Sequence, residues 1–494
     1  MTVQAEPSRS GTPRFVVGMA TAVAVLTRLP FLDHASGKDE AGFLIVGSQW
    51  HSGGSSLYGN YWVDRPPLLI TIFQAAAWLG GLVPLRLLGC IAVAAVVLGT
   101  AHLAGQIGGA RASAWAAVFA AALCTSPLLG VQEVNGELLS APFVVLGLGV
   151  LVVAIRSPLG PRTLVLSGLG GAATVVAVLV KQNVLDVGVF LVVALLIGTR
   201  TGLGRVRASR ILLGFLGGAL LALVVAAAWT VAHGTTVSGV FDAMYPFRLR
   251  AGRAMAREEN PASVSRMLML GVSWIACGGA IMMLLVGRAT WTRRLVGPVE
   301  WALVAVLGYD VVSVALGGSY WHHYLILFVV PLAVLTGVMA ARSVPGVRAV
   351  TVVAAVVAAA MWVYVLPTAS HGTAGTATGH AIAKVARPGD TLITLWGHSD
   401  VNRGAGLPSP YPYLWSLPAH IQDPDAAILD RVLAGPEAPV WLVTWRPENF
   451  PRNLALSTVK LIDLRYRLVA DLNGRSVFLL RGQDRQAPGS GRTS

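Results

Sequence analysis

Two short stretches near the start of the chain hold residue types suited to sugar and phosphate chemistry. Lys38-Asp39-Glu40 follows the first apolar block after only a few residues, so its carboxylates fall close to a membrane surface. A base there reaches a substrate that projects from the bilayer. Further on runs Tyr58-Gly59-Asn60-Tyr61-Trp62-Val63-Asp64-Arg65-Pro66-Pro67. Tyr58 and Tyr61, beside amides and Asp64, suit a sugar. The two prolines stiffen the chain and hold Arg65 at the depth of lipid phosphates, whose oxygens a guanidinium binds in bidentate fashion. More cations follow: Lys181 at the end of an apolar run, and Arg248, Arg250, Arg253 and Arg257 at spacings that set several on one helical face. His322 and His323 stand among Tyr320, Trp321 and Tyr324. Each group also has a plainer reading. Loop acids are often just solvated, and Lys, Arg and aromatic residues near span ends anchor the interface. No metal-ligand spacing is evident, and Cys90, Cys124 and Cys277 sit in apolar blocks as small hydrophobes.

The residues must be positioned by a membrane domain. The chain has 494 residues, 55% hydrophobic and only 12% charged, with a mean hydropathy of +0.66. Soluble domains carry about 25% charged residues. Apolar blocks of roughly 17–22 residues match a hydrocarbon core about 30 Å thick. About eleven spans are expected: 15–32, 83–103, 113–130, 137–155, 163–180, 184–199, 211–231, 267–286, 297–316, 324–341 and 349–366. The formal charge of +14 does not point to nucleic acid, because the arginines gather in short turns between spans. Arg111; Arg156 and Arg162; Arg200, Arg205, Arg207 and Arg210; Arg288, Arg293 and Arg294; and Arg342 and Arg348 all fall in turns that lack Asp and Glu. The positive-inside rule puts these turns and residues 1–14 in the cytoplasm.

Residues 15–366 thus form a transmembrane domain with extracytoplasmic loops at 33–82 and 232–266. Pro67 to Leu82 mimics a span, but counting it as one inverts every later turn, so it reads as an interfacial helix. Residues 367–482 read as a small extracytoplasmic α/β domain. His371–Thr378 looks like a linker. Thr391–Trp396, Val440–Trp445 and Ser476–Arg481 read as strands, and Asp425–Leu433 as a helix. Residues 483–494 read as a disordered tail.

In order along the chain, Arg28-Leu29-Pro30-Phe31-Leu32, Asp39-Glu40, Tyr58-Gly59 and Arg65-Pro66-Pro67 resemble the opening of the GT-C glycosyltransferases. The nearest likeness is to protein O-mannosyltransferases and the aminoarabinose transferase that modifies lipid A. The likeness continues at Asn135-Gly136-Glu137, at Lys181, at Tyr320-Trp321-His322-His323-Tyr324 leading to Pro331, and at Trp396-Gly397-His398 through Pro408-Ser409-Pro410-Tyr411. Arg65 departs from the family's Lys at that point.

The resemblance implies an all-α polytopic GT-C membrane domain that inverts configuration as it moves a sugar from a polyprenyl phosphate to a cell-envelope acceptor. Asp39 matches the family's catalytic base, and Glu40 is the neighbour that orients the acceptor. Arg65, then Arg248, Arg250, Arg253 and Lys181, are the candidates for the donor phosphate. Tyr58, Tyr61, Asp64, Glu137, His322, His323 and Tyr324 are the candidate substrate contacts. Glu137 leaves a divalent cation open as a cofactor. Richness in Ala, Val, Gly and Arg points to a high-GC, actinobacterial genome and a decaprenyl-phosphate donor. A transporter or lipid flippase and a non-catalytic glycan-binding protein are the competing readings.

Overall fold

The computed structural model describes residues 11–51, 53–257, 261–368, 373–445 and 455–489. It divides into two compact units.

The first unit, Met1–Leu32, Arg86–Ala226 and Asn260–Ala369, is helical. Among the described residues eight helices are long and apolar enough to cross a membrane, nine if a bent pair counts as one span. The difference from eleven has three sources. The runs at 83–103 and 113–130 stand as two helices that meet at Gly109, whose φ of 77° no helix adopts, and they count together as Leu82–Thr125. The run at 184–199 gives a helix of only 15 residues, Asp186–Arg200, about 22 Å long and short of a full crossing. The run at 267–286 is not straight: Pro261–Ala276 and Gly279–Trp291 meet at a bend of 68°.

At the centre lies Val329–Ala341, buried along nearly its whole length. Elsewhere helices approach through glycine. Pro161–Val180 meets Arg205–Ala232 where a Cβ on Gly218 would strike the carbonyl of Gly168, and one on Gly171 the carbonyl of Phe215. Gly214 and Gly218 supply the small-residue spacing that lets membrane helices pack backbone to backbone. The Pro298–Leu316 helix carries two acids, Glu300 and Asp310, and Glu300 is structural. It accepts from Val296 N (2.7 Å) and Gly297 N (2.8 Å) at its own helix start and pairs with Arg342. Asp310 is buried on the same helix, in electrostatic contact with Asp186.

The second unit gathers Asp33–Leu85, Ala227–Glu259 and Ser370–Ser494. The first loop holds helices Lys38–Ser48 and Pro67–Trp78. Pro67–Trp78 has 12 residues, about 18 Å, too short to span. It starts on Pro66 and Pro67, whose fixed φ suits a first turn. The second loop, with helices Val237–Met244 and Pro246–Arg257, is tied to the first. Trp50 donates to Thr235 Oγ1 (2.9 Å), which donates to Leu57 O (2.7 Å).

The tail forms a four-stranded sheet of β1 Leu392–Thr394, β2 Trp441–Trp445, β3 Tyr466–Leu472 and β4 Arg475–Leu480, in the order β1-β2-β4-β3. Only the β1–β2 pair is parallel. Alternation along the strands feeds two cores. Leu392, Trp441 and Val443 pack with Ile382 and Val401, and Ile393 and Leu442 with Leu429 and Ile462. Three expected strands and the 425–433 helix are present, the helix as Ala427–Ala434. β3 is an addition, and the expected linker is corrected: Thr373 caps a helix, Ala374–Ala383, by accepting from Thr376 N (3.1 Å). His371 and Gly372 lie outside the described residues. Order also extends past residue 483, because Arg485 grips Asp390 at 2.7 and 3.1 Å. Residues 490–494 of the expected disordered tail lie outside the described residues.

Candidate active site

In the second unit, Gly37 caps the Lys38–Ser48 helix, and Glu40 at the third position reaches back to Gly37 N (3.2 Å). That folding-back decides what the two acids do. Glu40 is fully buried, turned to its own helix start and interacting with Arg403. Burial lowers the Arg403 pKa, against the opposing pull of Glu40. This geometry gives Glu40 a capping role in place of the expected contact with an acceptor. Asp39 stays half-buried, and its Oδ1 accepts from Trp415 Nε1 at 2.8 Å.

Asp64 is the second focus. It is buried, with Oδ1 2.8 Å from Arg65 Nη1 and Oδ2 2.7 Å from Arg248 Nη2. Two guanidiniums on one carboxylate leave a net positive charge of about one unit. An aromatic pair connects the two foci: Trp415 packs on Phe43 with ring centres 5.1 Å apart, and Arg65 lies 5.6 Å over the same Phe43 ring.

The tyrosines expected to face a sugar are instead struts. Tyr58 is fully buried and donates to Arg65 O (2.6 Å). Burial, and then the Asp64 charge, push its phenol well above the usual range. Tyr61 is equally enclosed and accepts from Ser409 N (3.0 Å). A strand-like bridge pairs the backbones of these two residues. Half-exposed rings here include Trp62 and Tyr413, 6.3 Å apart, and Trp415. Arg250 pairs with Asp242 (3.0 and 3.1 Å) on an open surface, and Arg253 is exposed.

In the first unit, three distant segments meet. Asn135 caps the Gly136–Arg156 helix by accepting from Leu138 N (2.9 Å), which brings buried Glu137 into its first turn. Glu137 Oε1 lies 2.8 Å from Lys181 Nζ and 4.0 Å from His323 Nε2. Lys181 Nζ sits 5.4 Å over the Tyr324 ring. Glu137 also lines a small cavity with Ser140 and Asp186. His322 is half-buried beside Gly130. Among the described residues no group of three or more His, Cys, Asp or Glu is placed to hold a metal ion.

Sequence reasoning named Asp39, Arg65, Glu137, Lys181 and His323 but missed Phe43, Ser399, Arg403 and Trp415. The signal for Phe43 was its place four residues after Asp39, on the same helical face. The three tail residues carry no local signal.

No family model matches the chain, and no curated protein matches it. Solved structures do. ArnT from Cupriavidus metallidurans bound to undecaprenyl phosphate superposes with a TM-score of 0.61 at 14% identity, over 95% of this chain and 98% of that one. The same protein in the apo state gives 0.63 at 15% identity, over 96% and 98%. The oligosaccharyltransferase AglB from Archaeoglobus fulgidus, in complex with an inhibitory peptide and a dolichol-phosphate, gives 0.56 at 12% identity, over 88% and 69%. Identities this low speak to architecture, and end-to-end coverage of ArnT settles it: this multi-pass chain has the GT-C fold.

Proposed function

We propose that this chain is a membrane glycosyltransferase that moves a sugar from a polyprenyl-phosphate donor to an extracytoplasmic acceptor, with its N-terminus in the cytoplasm. The observation that carries the reading is the pairing of a half-exposed Asp39 with the Arg65–Asp64–Arg248 group, joined through Phe43 and Trp415. The lipid phosphates bound by ArnT and AglB support the same donor class.

The chemistry follows from charge. An acceptor hydroxyl or amine attacks the anomeric carbon and gives its proton to Asp39. The bond from that carbon to the phosphate oxygen breaks, and the electron pair leaves with the lipid phosphate. A phosphodiester with one negative charge becomes a monoester approaching two. The extra charge needs fixed cations, which Arg65 and Arg248 supply in a setting of low dielectric. Asp64 holds the two guanidiniums in register. A single displacement of this kind inverts the anomeric centre. The Glu137–Lys181–His323–Tyr324 group is assigned to substrate binding, with Lys181 as its phosphate or carboxylate contact. Arg253 and the Arg250–Asp242 pair meet lipid headgroups.

The test is transfer from synthetic polyprenyl-phosphate sugars by purified protein. Asp39→Asn and Asp39→Ala are expected to lower kcat by about 100–10,000-fold, the usual worth of a positioned base, with the melting temperature unchanged. Wild-type rates in Asp39→Ala would end the assignment.

A further inference from the structure

We infer that Trp415 is a positioning residue for Asp39, so that the C-terminal domain fixes the orientation of the base. The inference rests on the role proposed for Asp39.

Asp39 is half-buried in the first turn of a helix, where a carboxylate has several staggered conformers within reach. Trp415 removes that freedom at one oxygen. Its indole Nε1 is a donor only, and at 2.8 Å it engages Asp39 Oδ1. The other oxygen has no place in this bond and is left to accept a proton.

Trp415 is itself held. Its ring packs tilted on Phe43 and covers Gly42, where an added Cβ would collide with the indole. Close by, Ser399 donates its hydroxyl to Lys38 O, and Arg403 interacts with Glu40. Five residues in the first two turns of this helix, Lys38, Asp39, Glu40, Gly42 and Phe43, thus meet tail residues. Only the contact at Asp39 touches the reacting group.

Trp415→Phe keeps a ring on Phe43 and deletes the N–H. It is expected to lower kcat about tenfold with KM nearly constant. Gly42→Val, which displaces the indole without altering it, should reproduce the fall in kcat. In an Asp39→Asn background, Trp415→Phe should have no further effect on the residual rate. A purely structural Trp415 would lower the melting temperature, and the residual rate of the Asp39→Asn variant with it, and that result would overturn the inference. The two claims fail separately. An active Asp39→Ala variant removes the base and this inference with it, whereas an inactive Asp39→Ala beside a wild-type kcat in Trp415→Phe removes only the inference.

Discussion

At the scale of single residues, buried ion pairs separate what binds from what holds. Lys181 and Glu137 show 10% and 1% of their side chains to solvent. Removing one partner of such a pair leaves a stranded charge, at a cost of about 3–5 kcal/mol, whereas replacing both with apolar residues is often neutral. Lys181→Ala is therefore expected to lower the melting temperature in detergent, and Lys181→Met with Glu137→Leu to restore it. If the pair serves substrate binding, transfer stays impaired in the restored double variant. Recovery of both stability and rate would make the pair structural. The same logic shows what sequence can deliver at this scale. Asp39, Arg65, Glu137 and Lys181 stood out because each is a charge beside an apolar run. That Glu40 turns back to Gly37, and that Tyr58 supports Arg65, depends on local folding that residue type alone does not encode. Trp415 was hidden for another reason: its bond to Asp39 joins positions 376 residues apart, and no periodicity records such a contact.

At the scale of elements, hydropathy located the apolar runs and the break between 103 and 113, where the kink at Gly109 falls, but not the bend at Gly278, which lies within the continuous apolar run at 267–286. β3 went unread although Asn473-Gly474, both at positive φ, is the pairing that tight hairpins favour. Its exposed, mixed residues gave no apolar run to mark it. Two other glycines allow a direct test of helix packing. Gly218 lies against the Gly168 backbone, while an added Cβ at neighbouring Gly217 meets nothing within 4 Å. Gly218→Leu is expected to cost about 1–3 kcal/mol by overpacking, read as a lower melting temperature and weaker expression. Gly217→Leu should be close to neutral. Equal behaviour of the two variants would mean that the helices do not meet at this face.

At the scale of the whole molecule, function depends on which side of the membrane each loop occupies. A polyprenyl-phosphate sugar presented outside can meet Asp39 only if the 33–82 loop is outside as well. The arginines between helices argue for that orientation. Arg200 and Arg205 bracket one turn, and Arg288, Arg293 and Arg294 another, and such residues are retained on the cytoplasmic side. Native Cys90, Cys124 and Cys277 are buried and unpaired, so they give little background to a thiol reagent that cannot cross the bilayer. Asn60, in the first loop, and Thr201, in the basic turn, are both exposed. Asn60→Cys should label in intact cells, and Thr201→Cys only after permeabilisation. The reverse pattern would put Asp39 in the cytosol with Arg65 beside it, away from any lipid-linked sugar displayed outside. Labelling of both positions in intact cells would show instead that the 67–82 segment crosses the bilayer, since one extra crossing there leaves Asn60 outside and exchanges the sides of every later turn.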